Sequence, residues 1–260
     1  MKINNFIVVY FEFVFVPLCL RGKKARHRHG RLTIKAILFD IDGTLMKCFG
    51  AGKKSLIAAC TEVFGTVGRM EAVDFQGKTD PLILRESLGI MGFADDDIDA
   101  NIGLLKERYF HHLRANMRDS SSVLLPGVTG LLERLAGHGA SLVGLLTGNF
   151  RESARIKLER FGLNEYFPFG VFGDDAAYRN EMPAIAMSII NDEYRVSLPF
   201  SDMVIIGDTK YDILCAQSVG AVSVAVGTGW AEPEALRSFG PDHFFEDLSD
   251  TDRIMAVIGA

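Results

Sequence analysis

The chain has 260 residues, 48% of them apolar, which is enough for one large or two small domains around a packed core. Its formal charge of −5 divides into +6 over residues 1–31 and −11 over the rest, so the body is acidic and has no basic footprint for nucleic acid. Cys19, Cys48, Cys60 and Cys215 are scattered without paired spacing, which argues against a zinc site or a disulfide framework and for a reducing compartment, with the cytoplasm as the expected location.

The first segment, Phe6 to Leu20, is apolar except for Glu12, is interrupted by Pro17, and is followed by Arg21, Lys23, Lys24, Arg26 and Arg28. It is shorter than the ~20 residues a spanning helix needs. Only Lys2 precedes it and no small-residue cleavage site follows, so it does not read as a secretory signal. A basic-flanked apolar run allows at most a weak membrane contact through residues 6–28. Residues 1–31 are expected to be a poorly ordered extension outside the fold.

Ala36 to Phe39 reads as a buried strand, because a continuous apolar run suits a parallel sheet covered on both faces. It ends at Asp40, with Asp42, Gly43 and Thr44 next, so two carboxylates stand at a strand's carboxyl end, where open α/β sheets bind ligands. Two acids so close repel and desolvate each other unless a cation sits between them. Residues 47–125 carry helical signals. Ala51 to Phe64 has apolar residues at helical spacing, Thr79-Asp80-Pro81 combines a capping side chain with an early Pro, and Asp95, Asp96 and Asp97 open a helix expected to reach about Met117. Pro126-Gly127 marks re-entry, followed by a helix over Val128 to Ala136 and a strand over Leu142 to Leu146. Then come a helix over Glu152 to Phe161 ended by Gly162, a strand over Phe167 to Phe172, and a helix over Pro183 to Asn191. The last elements are a strand over Met203 to Gly207, a helix over Ile213 to Val219, and strands at Val222 to Val226 and His243 to Phe245. This alternation predicts an α/β fold with a doubly wound parallel sheet. Gly50-Ala51-Gly52-Lys53-Lys54-Ser55 lacks the first Gly of a P-loop and, with Lys54 between Lys53 and Ser55, its Gly-Lys-Ser order.

Asp40-Ile41-Asp42-Gly43-Thr44 resembles the first motif of the haloacid dehalogenase superfamily of phosphohydrolases. Three later stretches fit the rest of that signature: a strand ending in Thr147-Gly148-Asn149, a cation for which Arg179 is the best candidate, and a strand ending in Gly207-Asp208 with Asp212 beyond it. No lysine lies between Lys157 and Lys210, so the Lys more common in the family is absent from that window. The resemblance runs from about Leu32 to the C-terminus. It implies a Rossmann-like core over 32–46 and 126–260 with an inserted helical cap over 47–125, hinged near Met46–Gly50 and Ser122–Gly127.

The resemblance also implies roles. Asp40 would attack phosphorus and become an aspartyl-phosphate, and Asp42 would serve as acid, then base. Thr147, supported by Gly148 and Asn149, would bind phosphoryl oxygens, and Arg179 would neutralise the group. Mg²⁺ would be held by Asp40, Asp208 and the backbone carbonyl of Asp42, with Asp212 orienting its waters or a ligand. Dehalogenases and phosphonatases of the superfamily lack an acid at the position of Asp42, whereas phosphomonoesterases and phosphomutases keep it. The cap, with Gln76-Gly77-Lys78-Thr79-Asp80 inside it, resembles the phosphoglycolate phosphatase-like branch, but Met46-Lys47-Cys48 replaces the acid-containing stretch common there. Lys47 and Lys78 are candidates for touching substrate, although solvated surface lysines would read the same way. The expectation is therefore a Mg²⁺-dependent phosphatase acting on a small phosphorylated metabolite, with a phosphomutase or a non-catalytic binding module as alternatives.

Overall fold

Strand β1 (Lys35–Phe39) is an interior strand of the sheet, and its residues explain why. Ile37 and Phe39 point into one apolar cluster, Ala36 and Leu38 into another, and all four are fully buried. A strand with alternate side chains in two separate cores must be covered on both faces. Ile37, Leu38 and Phe39 each contribute about 1.5–3 kcal/mol by leaving water. The computed structural model describes residues 34–119 and 121–259; the N-terminal extension, with the membrane contact expected of residues 6–28, lies outside them. Among the described residues no helix is long and apolar enough to cross a membrane.

The chain continues through β2 (Met46–Lys47), α1 (Ala51–Phe64), α2 (Asp80–Gly89), α3 (Asp95–Asp119), β3 (Val123–Leu124), α4 (Val128–Gly137), β4 (Ser141–Leu146), α5 (Arg151–Glu159) and β5 (Phe169–Val171). It ends with α6 (Met182–Tyr194), β6 (Met203–Gly207), α7 (Lys210–Val219), β7 (Val222–Val226), α8 (Pro233–Ser238), β8 (His243–Phe245) and α9 (Thr251–Ile258). Six strands form one parallel sheet in the order β5-β4-β1-β6-β7-β8. Residues of α4, α5 and α9 share the cluster that holds Ile37 and Phe39, and residues of α6 and α7 share the other. The expected doubly wound α/β sheet is present.

The strand order reverses at β1, which has β4 on one side and β6 on the other. Such a switch point opens a crevice at the carboxyl ends of the strands. Register makes those ends level, because Phe39 pairs with Leu145 of β4 and Ile206 of β6. The first residues beyond the three strands are the predicted Asp40, Thr147 and Asp208.

The helices of residues 47–125 form as expected. Thr79 caps α2 by accepting from the Leu82 amide, and Pro81 sits in the first turn. The two connections to the sheet pair as a short antiparallel ribbon of β2 with β3. That ribbon, α8 and α9 are not foreseen from periodicity. Two residues give no alternation, and α8 and α9 are too short for the expected template. Helix α5 stops at Glu159 and β5 covers only Phe169–Val171, both shorter than predicted, while α6 and α7 start earlier or run longer.

Candidate active site

Asp40 follows β1, and its amide donates to the carbonyl of Ile206 at 2.9 Å, which locks the strand end against β6. Its carboxylate is buried and lies 3.1 Å from Nη2 of Arg179. Arg179 opens a single 3₁₀ turn before α6. The same Nη2 donates to Asp212 Oδ1 at 2.5 Å and to the Leu146 carbonyl at 3.0 Å. Nη2 thus makes three contacts, whereas Nε is buried with no partner. Burial works against the guanidinium, but Asp212 and then Asp40 outweigh it and hold the charge in place.

Asp212 completes a capping box at the start of α7: its Oδ2 accepts from the Thr209 amide at 3.0 Å and from the Thr209 hydroxyl at 2.6 Å. Both of its oxygens are therefore engaged, and it fixes Arg179 rather than standing open. Asp208, at the end of β6, accepts from the Thr44 hydroxyl at 3.1 Å. Gly43 (φ +92°) and Gly229 pack against this carboxylate so closely that a Cβ on either would collide with it.

Carboxylate oxygens of Asp40, Asp208 and Asp212 lie within 4.8 Å of one another, all buried. Three acids face one guanidinium, so two negative charges stay uncompensated there among the described residues. Burial pushes Asp40 up to about 6, with Arg179 opposing, and pushes Asp208 well above the usual carboxylate range, reinforced by Asp40 and Asp212. An all-oxygen set with excess negative charge fits a hard divalent cation.

This electrostatic imbalance makes a measurable prediction. A carboxyl group whose folded pKa is raised favours folding most when it is protonated. Its contribution is complete below the unfolded value near 4 and is lost as pH rises towards 6. In chelator, Tm should fall between pH 4 and pH 6, and a divalent cation should restore it at pH 7; thermal melts at both conditions check this.

Thr147 is fully buried beyond β4 and its hydroxyl bonds to Asp40. Asn149 Nδ2 donates at 2.8 Å both to Thr147 Oγ1 and to Asp42 Oδ2. Gly148 lies directly beneath the backbone of Lys78, and its carbonyl accepts from the Asp80 amide at 2.7 Å. The predicted Asp40, Asp42, Thr147, Gly148, Asn149, Arg179 and Asp208 all line one cavity of about 430 Å³, while Asp212 stands behind Arg179. Its roof includes Phe49, Lys53, Phe75, Lys78 and Tyr109, with Trp230 from the loop after β7. Lys78 is paired with Glu86 at 2.5 Å, and Lys47 points to the carbonyl of Gly229 at 3.2 Å. Burial pushes the Cys48 thiol up to about 11, so it is no nucleophile at neutral pH.

Two site residues escape the sequence reading. Lys157 of α5 is buried in the cavity wall and donates to Asp42 Oδ2 at 2.5 Å and to Asn149 Oδ1 at 2.6 Å. Its signal was available: it sits on the inward face of α5 with Ala154 and Leu158, where a lone ammonium needs a partner. Asp80 reads from sequence only as a helix start. Its carboxylate accepts from the Phe150 amide at 2.9 Å and the Ser153 hydroxyl at 3.3 Å, so α2 supplies the cap that α5 lacks from its own residues.

The sequence profile of the haloacid dehalogenase-like hydrolases matches residues 37–226. The chain belongs to this family. All of the acids above fall inside the matched span. Among curated relatives of this hydrolase, a phosphoglycolate phosphatase of Vibrio parahaemolyticus is 26% identical over 86% of this chain and 97% of its own. A pyrophosphatase of Oceanobacillus iheyensis is 25% identical over 88% and 98%. A solved hydrolase from Pseudomonas syringae superposes with a TM-score of 0.65 at 21% identity, covering 86% of this chain and 99% of that one.

Proposed function

We propose that this hydrolase is a Mg²⁺-dependent phosphatase that cleaves a small phosphomonoester through an aspartyl-phosphate at Asp40. The observation that carries this is the position of the Asp40 carboxylate, beside Arg179 and Asp208 in the wall of the cavity. Relatives named for phosphoglycolate and pyrophosphate hydrolysis both break bonds to phosphorus, which supports the reaction class and leaves the alcohol open. The three described cysteines, Cys48, Cys60 and Cys215, are buried and unpaired, which supports a reducing compartment such as the cytoplasm.

Mg²⁺ held by the carboxylates of Asp40 and Asp208 and the backbone carbonyl of Asp42 would neutralise the phosphoryl oxygens and let an anionic nucleophile approach. The chain's own residues do the rest. Arg179 sits within reach of Asp40 and spreads positive charge over the transferring group. Thr147 receives a hydrogen bond from Asn149, so its own proton is available for Asp40 or a phosphoryl oxygen. An oxygen of Asp40 forms a bond to phosphorus as the bond to the alcohol oxygen breaks, and Asp42 gives that oxygen a proton. Water then attacks phosphorus, its proton passes to Asp42, and inorganic phosphate leaves as Asp40 is regenerated. Residues 47–125 act as a cap whose roof limits substrates to small ones.

A panel of phosphorylated metabolites tests the reading. With Mg²⁺, at least one small monoester should release phosphate, and chelation should reduce that release by roughly 10² or more. Silence across the panel, or release that ignores the chelator, would contradict it.

A further inference from the structure

We infer that Lys157 is a positioning residue that holds Asp42 for proton exchange with the leaving oxygen; this rests on the phosphatase reading above. The residue is only 4% exposed, on a helix whose other buried side chains are Ser153, Ala154, Ile156 and Leu158. An unpaired ammonium there would be strongly destabilising. It is paired instead in a closed triangle. Lys157 Nζ donates to Asp42 Oδ2 at 2.5 Å and to Asn149 Oδ1 at 2.6 Å, and Asn149 Nδ2 donates to the same Asp42 oxygen at 2.8 Å. Both ends of the Asn149 amide are used, which fixes its orientation.

Asp42 needs this support. Its side chain is 30% exposed on the turn after β1, against 8% for Asp40 and 2% for Asp212. Lys157 and Asn149 both donate to it, beside a weaker contact with the Cys48 thiol, and together they fix its rotamer. Helix α5 carries this clamp, and its amino end is capped by Asp80 from α2. The helical insertion is therefore tied to the element that aims Asp42.

A positioning role for Asp42 has a signature that a general structural role lacks. The ratio kcat/KM reports phosphoryl transfer to Asp40, in which an alkyl oxygen needs a proton and a para-nitrophenolate does not. Release of phosphate from both esters by the wild type is measured first. Lys157→Gln should then lower kcat/KM about 10- to 100-fold for the best alkyl phosphate of the panel and less than about threefold for para-nitrophenyl phosphate. Added to Asp42→Asn, it should cause no further loss, because both changes remove one function. Asn149→Ala should show the same ester selectivity and serves if Lys157→Gln does not fold. Equal losses on the two esters, or a full independent loss in the Asp42→Asn background, would overturn the role of Lys157 while leaving the phosphatase intact. A wild type inactive on both esters would overturn the phosphatase reading and this role with it.

Discussion

Asp40→Asn should yield a folded protein that releases no measurable phosphate. The proposed nucleophile must be a carboxylate, and an amide oxygen of the same shape cannot form the covalent intermediate. Loss of a nucleophile that acts as one unit with its neighbours costs roughly 10⁴-fold or more in kcat. The fold should survive, because Asn fills the same space between β1 and β6 and keeps the strand-end amide bond to Ile206. Stability supplies a second readout. Burial pushes Asp40 up to about 6, so near pH 7 its ionised form opposes folding when no cation is bound. Removing that charge should leave the metal-free variant at least as stable as the wild type, and should shrink the gain in Tm on adding Mg²⁺. Kinetics and melts on one preparation check both. A folded Asp40→Asn protein with undiminished turnover would sink the mechanism.

Arg179→Ala should lower kcat by about 10²–10³, the range for losing one preorganised charge-stabilising donor. Arg179→Lys should recover part of that loss, since the family more often has Lys at this point. Recovery should stay incomplete, because a planar guanidinium and a compact ammonium do not place charge identically between Asp40 and Asp212. Arg179→Ala should also cost about 3–5 kcal/mol of stability, the penalty for leaving buried charges without their partner. Arg160 and Arg195 are exposed at the ends of α5 and α6, so Arg160→Ala and Arg195→Ala should be nearly silent. Loss of turnover in either control, with normal Arg179→Ala, would place the cation elsewhere.

Much of this site is readable before any coordinates. Ala36 to Phe39 announces a strand buried on both faces, and motif spacing then brings Asp40, Thr147 and Asp208 to adjacent strand ends. Arg179 is harder: three arginines compete by position, and only the fold puts one of them against Asp40. Asp212 is expected from the sequence only to orient metal waters or a ligand, whereas the fold makes it both the acid that caps α7 and the acid that grips Arg179. Lys157 and Asp80 stay hidden for a different reason. Each reads as an ordinary helical residue, and its partners lie on other elements, Asp42 after β1 for one and the amino end of α5 for the other. Such contacts are set by how helices pack on the sheet, which periodicity does not encode. The β2–β3 ribbon is invisible for a similar reason, since two-residue strands are defined by their pairing alone.

The covalent step at Asp40 is tested most directly by trapping. The wild-type protein, turning over the best substrate of the panel with Mg²⁺, is quenched in acid and digested, and its peptides are weighed by mass spectrometry. The mechanism predicts one added phosphoryl group on the peptide carrying Asp40, lost on treatment with hydroxylamine and absent from Asp40→Asn. Rapid turnover with phosphate on no peptide, or on a peptide lacking Asp40, would contradict it.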